Sequence, residues 1–265
     1  MKIISSTSNQ YIKSIRKLSS RKERDRSGKF YIEGLRIIGE ALRTDFPLES
    51  ILYSSDLLTS GFGKNAIEEG RKKGVDIIEV TKEVFQTFAL KDRPQGIAAV
   101  GIQKLVSIKE LHNLKGLWIV LDNVQDPGNL GAIMRSLDGA GGNGLVLLGT
   151  STDVYHPTSV RSSTGALFSL KIAKMSFTNF RKWNSSENMP IIGTICGEAN
   201  NYRKYDFPQD MILLMGSEQK GLGEELLEMC EGLVNIPIVG SVDSLNLACA
   251  ASIVLFEIYA KRQNR

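Results

Sequence analysis

The chain has little of the chemistry on which disulfide-bonded or metal-held domains depend. Its 265 residues include only three cysteines and two histidines. Cys196, Cys230 and Cys249 are widely spaced and form no CxxC pair. That argues against a disulfide framework and a structural zinc site, and it suits a reducing cytoplasm. His112 lies in a polar connecting stretch, and His156 precedes a proline without a neighbouring carboxylate or cysteine, so no metal site is expected. The opening residues, Met1-Lys2-Ile3-Ile4-Ser5-Ser6, lack the apolar core of a signal peptide. The longest apolar stretch, near Leu245 to Ala260, contains Asn246, Ser252 and Glu257; it reads as a buried helix and not as a membrane span. A Walker sequence is also missing. Gly139-Ala140-Gly141-Gly142-Asn143-Gly144 has GxGxxG spacing, but a helix precedes it and a strand follows. Dinucleotide binding needs the reverse order, so this stretch reads as a helix stop.

What is present describes a soluble globular protein. Hydrophobic residues make up 42% and charged residues 23% of the chain, enough for a real core in one large domain or two ordinary ones. The net charge of +4 is unevenly placed. Residues 1–100 carry 18 basic and 13 acidic side chains, whereas residues 101–265 carry 15 and 16. The excess concentrates in Lys13, Arg16, Lys17, Arg21, Lys22, Arg24, Arg26 and Lys29, opposed only by Glu23 and Asp25. Such density fits binding to a phosphate backbone, where each neutralised phosphate releases counterions. A solvated helix face is the other reading of the same run.

Residues 1 to about 30 read as helical, with Ile12, Ile15 and Leu18 on one face. Strands are expected at Phe30–Gly34, Ile51–Tyr53, Val75–Val80 and Gly96–Val100. Helices are expected at Arg36–Arg43, Asn65–Lys73 and Val84–Phe88, the last capped by Thr81. This is a small alternating α/β domain, residues 1–102. A linker follows at 103–115. A second α/β domain spans 116–265, with strands at 117–121, 144–148, 191–194, 211–215 and 234–236. Its helices follow Asp126, run near Ser159–Ala166 and 224–229, and end in the apolar terminal helix. Short, continuous apolar strands separated by helices imply a mostly parallel sheet covered on both faces.

Three loops in the second half carry residues that bind rather than pack. After Leu117–Leu121 comes Asp122-Asn123-Val124-Gln125-Asp126-Pro127-Gly128-Asn129-Leu130-Gly131, and then Arg135. Asp126 and Pro127 form a good helix opening, and the spacing of Gly128, Gly131 and Arg135 puts them on one face. Each helix glycine costs about 0.8–1 kcal/mol against alanine. Either something approaches that face closely, or the strand and helix pack tightly with a surface arginine. The second loop, Gly216-Ser217-Glu218-Gln219-Lys220-Gly221-Leu222-Gly223, follows a buried strand and suits a backbone close to a ligand; a plain glycine-rich turn is the alternative. The third, Asn235 to Leu247, holds Ser241, Asp243 and Ser244, all good helix caps. It also holds Asn246, whose amide at the head of an apolar helix must find partners if buried. That helix is apolar nearly all round, which points to a deep core position or a subunit interface.

Together these segments resemble the three signature motifs of the SpoU (TrmH-like) ribose 2′-O-methyltransferases of the SPOUT superfamily. The first lies in Asn123–Arg135, the second in Gly216–Gly223 and the third in Asn235–Leu247. Val160-Arg161-Ser162-Ser163-Thr164-Gly165-Ala166 is similar to the family's helix start between the first two. The resemblance covers residues 117–260, without departure at the motif positions. Residues 1–102 resemble, less specifically, the small ribosomal-protein-like RNA-binding domain that often precedes such a catalytic domain.

The resemblance implies an α/β SPOUT domain with a parallel sheet and a deep trefoil knot, S-adenosylmethionine as methyl donor, and an RNA ribose hydroxyl as acceptor. It implies that loops 194–198, 216–223 and 236–246 fold round the cofactor. Gly216, Ile236 and Leu245 would contact it through backbone groups, with Thr194 nearby. It further implies a homodimer, with the terminal helix as expected interface. Methyl transfer to a hydroxyl demands alignment and help with a weakly acidic proton. Arg135 is the first choice as the catalytic group. Its guanidinium stays protonated, which suits holding a phosphate or stabilising an alkoxide better than acting as an unaided base. Asn129 is expected to orient the ribose or Arg135, and Glu218 to pair with and aim Arg135. Ser244 and Asn246 are expected to shape the pocket. Lys13, Arg16, Lys17, Arg21, Lys22 and Arg24 are the expected RNA contacts. The expected substrate is 23S ribosomal RNA, with tRNA the nearest alternative; the rival from another class is a non-catalytic RNA-binding assembly factor.

Overall fold

A computed structural model of the chain describes residues 3–263. In chain order the first elements are α1 (Gln10–Lys17), α2 (Arg21–Ser27), β1 (Lys29–Glu33), α3 (Leu35–Arg43), β2 (Leu48–Tyr53), α4 (Gly61–Lys72), β3 (Asp76–Glu79), α5 (Lys82–Gln86) and β4 (Ile97–Ile102). Then come β5 (Leu117–Asp122), α6 (Pro127–Gly139), β6 (Gly144–Leu148), α7 (Pro157–Ser163), β7 (Lys171–Met175), α8 (Phe177–Glu187) and β8 (Ile191–Thr194). The last are β9 (Asn200–Asn201), β10 (Met211–Met215), α9 (Glu224–Leu227), β11 (Gly232–Asn235) and α10 (Leu247–Gln263). They form two compact units, Met1–Gln103 with Asp153–Phe168, and Lys104–Thr152 with Ser169–Arg265.

In the first unit the expected long helix is two short ones. Asn9 caps α1 by accepting from the amides of Tyr11 and Ile12, and Ile12, Ile15 and Leu18 are buried as one face. The helix stops there because the carbonyls of Leu18 and Ser19 accept from Arg24 Nη1, both at 2.8 Å, in place of continuing the helical ladder. Ser20 then turns extended before α2. The sheet has the order β1-β4-β2-β3, with β4 antiparallel to both neighbours and β2 parallel to β3. Its core joins Ile12, Ile15, Leu52, Val84, Phe85 and Val100. Thr81 caps α5 as expected, accepting from Val84 N.

Arg24 corrects the sequence reading. It lies in the densest basic run, yet it is only 1% exposed. Nε and Nη2 both reach Asp153 Oδ2 at 2.8 Å. Asp153 Oδ1 in turn accepts from Tyr155 N. The ring of Tyr155 packs on Phe30 and that of Phe168 on Phe46, so residues 153–168 share the core of this unit although the sequence places them within the second α/β stretch. Arg24 is therefore a structural cation, unable to meet a phosphate at the surface. Its position reflects a partner 129 residues away, which no local pattern reveals.

The second unit is a seven-stranded sheet, order β7-β6-β5-β10-β8-β11-β9, with every pair parallel. β7 and α8 were not foreseen. β7 is an edge strand whose Lys171 and Lys174 face outward, and α8 buries only Phe180 and Trp183, so neither shows a strong apolar pattern. Residues 103–115, expected as a linker, are packed: Leu111 is fully buried, its carbonyl accepts from Trp183 Nε1, and Val106 N donates to Ile172 O. Among the described residues no helix is long and apolar enough to cross a membrane. One side of α10 packs on α6, where the Ser136 and Ser252 hydroxyls bond at 2.7 Å. Ile253, Phe256 and Tyr259 of α10 are exposed, with Phe256 beside Gly139 of α6.

Breaking the Arg24–Asp153 pair from one side strands a buried charge, so Arg24→Met or Asp153→Leu is expected to cost about 3–5 kcal/mol in denaturant unfolding. The double variant should recover much of that loss. Equal losses in the single and double variants would show that the pair is not the stabilising unit.

Candidate active site

All-parallel pairing places the carboxyl ends of β5, β6, β8, β10 and β11 at one edge of the sheet, the side where open α/β sheets hold ligands. Thr194, Met215 and Val234 lie at one level, since Met215 and Val234 both pair with Thr194. Gly216 and Ile236 follow directly on two of these strands. Thr194 Oγ1 donates to Leu214 O at 3.4 Å, and Ile236 is half-buried. Three of the four expected cofactor residues thus meet on neighbouring strand ends. The fourth, Leu245, lies 37% exposed in the irregular 236–246 segment, as does exposed Ser244. Among the described residues, no backbone N–H of 236–246 is donated within the chain.

The loop after β5 is built as the sequence indicates. Asp126 accepts from Asn129 N at 2.6 Å and Pro127 opens α6. Gly131 is buried and Arg135 exposed. Asn123, the first residue of the first motif but given no role by the sequence, stabilises this loop from its left-handed backbone conformation (φ 52°). Its Oδ1 accepts from Thr150 N and Oγ1, and its Nδ2 donates to Asp122 Oδ1 at 2.8 Å. An asparagine between a strand and a helix cap was the available signal, because asparagine tolerates this conformation.

A directed hydrogen-bond chain connects the three loops. Asn129 Nδ2 donates to Glu218 Oε1 at 3.0 Å, and Asn246 Nδ2 donates to Asn129 Oδ1 at 3.0 Å. Asn246 Oδ1 then accepts from the amides of Ala248 and Cys249, capping α10. An ionised carboxylate only accepts. Glu218 thereby dictates which way the Asn129 amide faces, and Asn129 dictates that of Asn246.

Three expectations change here. Glu218 pairs with Asn129 and not with Arg135, whose guanidinium makes no ion pair or hydrogen bond among the described residues. Asn129 does not orient Arg135 either. Six residues along a helix separate them by about 9 Å of rise and roughly a third of a turn. Asn246 is exposed, so its amide is satisfied as a cap and not as a buried polar group.

The glycines of the second loop serve the loop itself. Ser217 and Gly221 exchange backbone hydrogen bonds, and Gly221 adopts φ +64°. A Cβ on Gly216 would overlap the backbone of Gly221 and Leu222. Burial pushes the nearby Cys230 thiol up to about 11, which makes it a packing group and not a nucleophile. Among the described residues, no group of three or more His, Cys, Asp or Glu side chains could hold a metal ion.

On the first unit, Lys13, Arg16, Lys17, Arg21 and Lys22 are all exposed. Lys13, Arg16 and Lys17, with Ser19, Ser20 and Glu23, line an open groove of about 420 Å³.

Residues 116–256 match the SpoU rRNA Methylase family, and residues 9–99 match the MRM3-like substrate binding domain. The chain is 28% identical over 261 residues to the 23S rRNA (guanosine(2553)-2′-O)-methyltransferase RlmP of Bacillus subtilis strain 168, covering 97% of this chain and 99% of that protein. It is 31% identical over 255 residues to the 23S rRNA (uridine(2479)-2′-O)-methyltransferase of Streptomyces viridochromogenes, covering 92% and 87%. The structure of an AdoMet-bound rRNA methyltransferase from Sinorhizobium meliloti superposes with a TM-score of 0.88 at 32% identity, over 99% of this chain and 98% of that one. The α/β fold, the parallel sheet and the match over more than half of the sequence place the chain in the SpoU rRNA methylase family.

Proposed function

We propose that the protein is an S-adenosylmethionine-dependent methyltransferase acting on a ribose 2′-hydroxyl of RNA, with 23S ribosomal RNA as substrate. The supporting observation is the Glu218–Asn129–Asn246 chain, which gathers three distant loops at the carboxyl edge of the sheet beside the α6 helix that carries Arg135. When bound, S-adenosylmethionine supplies a methyl group activated by a sulfonium. The residues present fit such a ligand: Ile236 and Leu245 offer apolar surface, the 236–246 backbone offers unused donors, and Thr194 and Gly216 lie on the adjoining strand ends. The same segment and α10 would form the trefoil knot, a rare exception to unknotted chains.

Arg135 holds the phosphate next to the target ribose and stabilises the negative charge that builds on the 2′-oxygen as its proton passes to solvent water. Asn129 and Asn246, held in one orientation, present fixed dipoles to the ribose, and Ser244 borders the acceptor. Residues 116–265 carry the transfer. Residues 1–102, a ribosomal-protein-like domain in this reading, bind RNA through Lys13, Arg16, Lys17, Arg21 and Lys22. A homodimer formed through α10 would cover Ile253, Phe256 and Tyr259, and the cytoplasm is where such a substrate is met.

Incubation with methyl-labelled S-adenosylmethionine and separated, unmodified bacterial rRNA and tRNA pools should place alkali-resistant label in 23S rRNA. Cofactor binding without label would point to a missing assembly intermediate as substrate; no label and no cofactor binding would favour a non-catalytic assembly factor. Arg135→Ala should lower turnover about 10²–10³-fold, the usual loss for one oxyanion donor, and weaken RNA binding only by the share of one phosphate contact. Near-normal turnover would remove Arg135 from the reaction. Asn129→Asp should be worse than Asn129→Ala in both turnover and melting temperature, since it sets a second carboxylate against Glu218. Equal effects would show that the polarity of the chain is unimportant.

A further inference from the structure

We infer that the first unit carries a base-reading pocket in which Glu33 accepts a hydrogen bond from the exocyclic amino group of an unpaired RNA base. The inference rests on the RNA-binding reading above and names a determinant of which RNA is bound. Glu33 ends β1 and is only 7% exposed. Its Oε2 accepts from Leu90 N at 2.6 Å and from the Tyr31 hydroxyl at 3.4 Å. Its Oε1 is buried and has no hydrogen-bond partner among the described residues. Unmatched buried acceptors are rare and costly. Burial pushes the Glu33 pKa up, while the Leu90 amide and the charges of Lys91 and Arg161 oppose the rise.

The carboxyl lines a cavity of about 10 Å³ with Ile37, Leu90, Lys91, Val160 and Arg161. That is room for one heavy atom with its hydrogens. Leu90 is 48% exposed and Arg161 is exposed as well. A ligand that displaces one water from that volume and uses all three features would bring a compact donor for Oε1, a flat body over Leu90, and negative charge for Lys91 and Arg161. A free metal cation or a lysine would meet two like charges. A simple anion would meet the carboxylate. An amino-bearing base on a phosphate backbone satisfies all three requirements. Uracil does not, because its one N–H lies between two carbonyl oxygens that a carboxylate repels and so small a cavity cannot admit.

The test compares fluorescein-labelled C10 and U10 oligoribonucleotides, which differ at the pyrimidine amino or carbonyl position, by anisotropy with the full chain at fixed salt. C10 should bind about five- to tenfold more tightly than U10, the discrimination expected from one buried contact to a base edge. Glu33→Gln keeps an acceptor for Leu90 N but turns a donor into the cavity, so it should abolish or invert this preference. Arg161→Ala should weaken both oligonucleotides equally and, when the titration is repeated across salt concentrations, reduce the salt dependence by about one charge. Equal wild-type affinities for C10 and U10 would overturn the pocket even if Glu33→Gln failed to fold. A preference that persists in a folded Glu33→Gln protein would also overturn it. Methyl transfer to rRNA with no C-over-U preference would remove only this pocket; failure to bind any oligonucleotide would remove the RNA-binding reading with it.

Discussion

Uniform strand direction in the second unit is the constraint on which its site depends. With every pair parallel, each connection must cross over a face of the sheet, and each strand delivers its next residues to the same edge. Loops far apart in sequence therefore meet without long excursions: 89 residues separate Asn129 from Glu218, and 117 separate it from Asn246. What parallel pairing brings together, the hydrogen-bond chain then orients. A carboxylate at one end and two helix amides at the other leave only one arrangement for the two asparagine amides between them. This explains why an exposed cluster can still be ordered: the direction of each dipole is imposed from both ends.

The first unit handles buried charge in two opposite ways. Arg24 is fully compensated: Nε and Nη2 meet one carboxylate oxygen, and Nη1 meets two carbonyls that would otherwise extend α1. One guanidinium thus ends a helix and holds residues 153–168 in the same core. Glu33 is compensated on one oxygen alone, with Oε1 left beside a cavity and two cations. Charge that is completely paired serves the fold, whereas a buried acceptor without a donor carries a desolvation cost that a donor brought by a ligand would relieve.

Much of this was legible in the chain because the signals were local. The buried strands 117–121, 144–148 and 211–215 announced themselves as apolar runs, Asp126–Pro127 marked a helix start, and Thr81 marked another. The elements that escaped have weak patterns for physical reasons. β7 is an edge strand that exposes lysines, and α8 buries two aromatic residues in eleven positions. The packed segment 103–115 looked like a linker because its anchor is a tryptophan more than seventy residues later.

By itself the sequence determined the α/β alternation, the motif residues and their order, and the excess of basic charge near the start. These depend on periodicity, turn chemistry and composition, which are properties of neighbouring residues. Only the tertiary structure decided how individual groups are used. It sent Arg24 inward to Asp153 while its basic neighbours stayed at the surface, and it paired Glu218 with Asn129 instead of Arg135. It also made Asn246 a helix cap and left Glu33 Oε1 without a donor. Each of these outcomes depends on a partner distant in the chain, or on the lack of one, and the energy of a charge or an amide is set by what surrounds it in space.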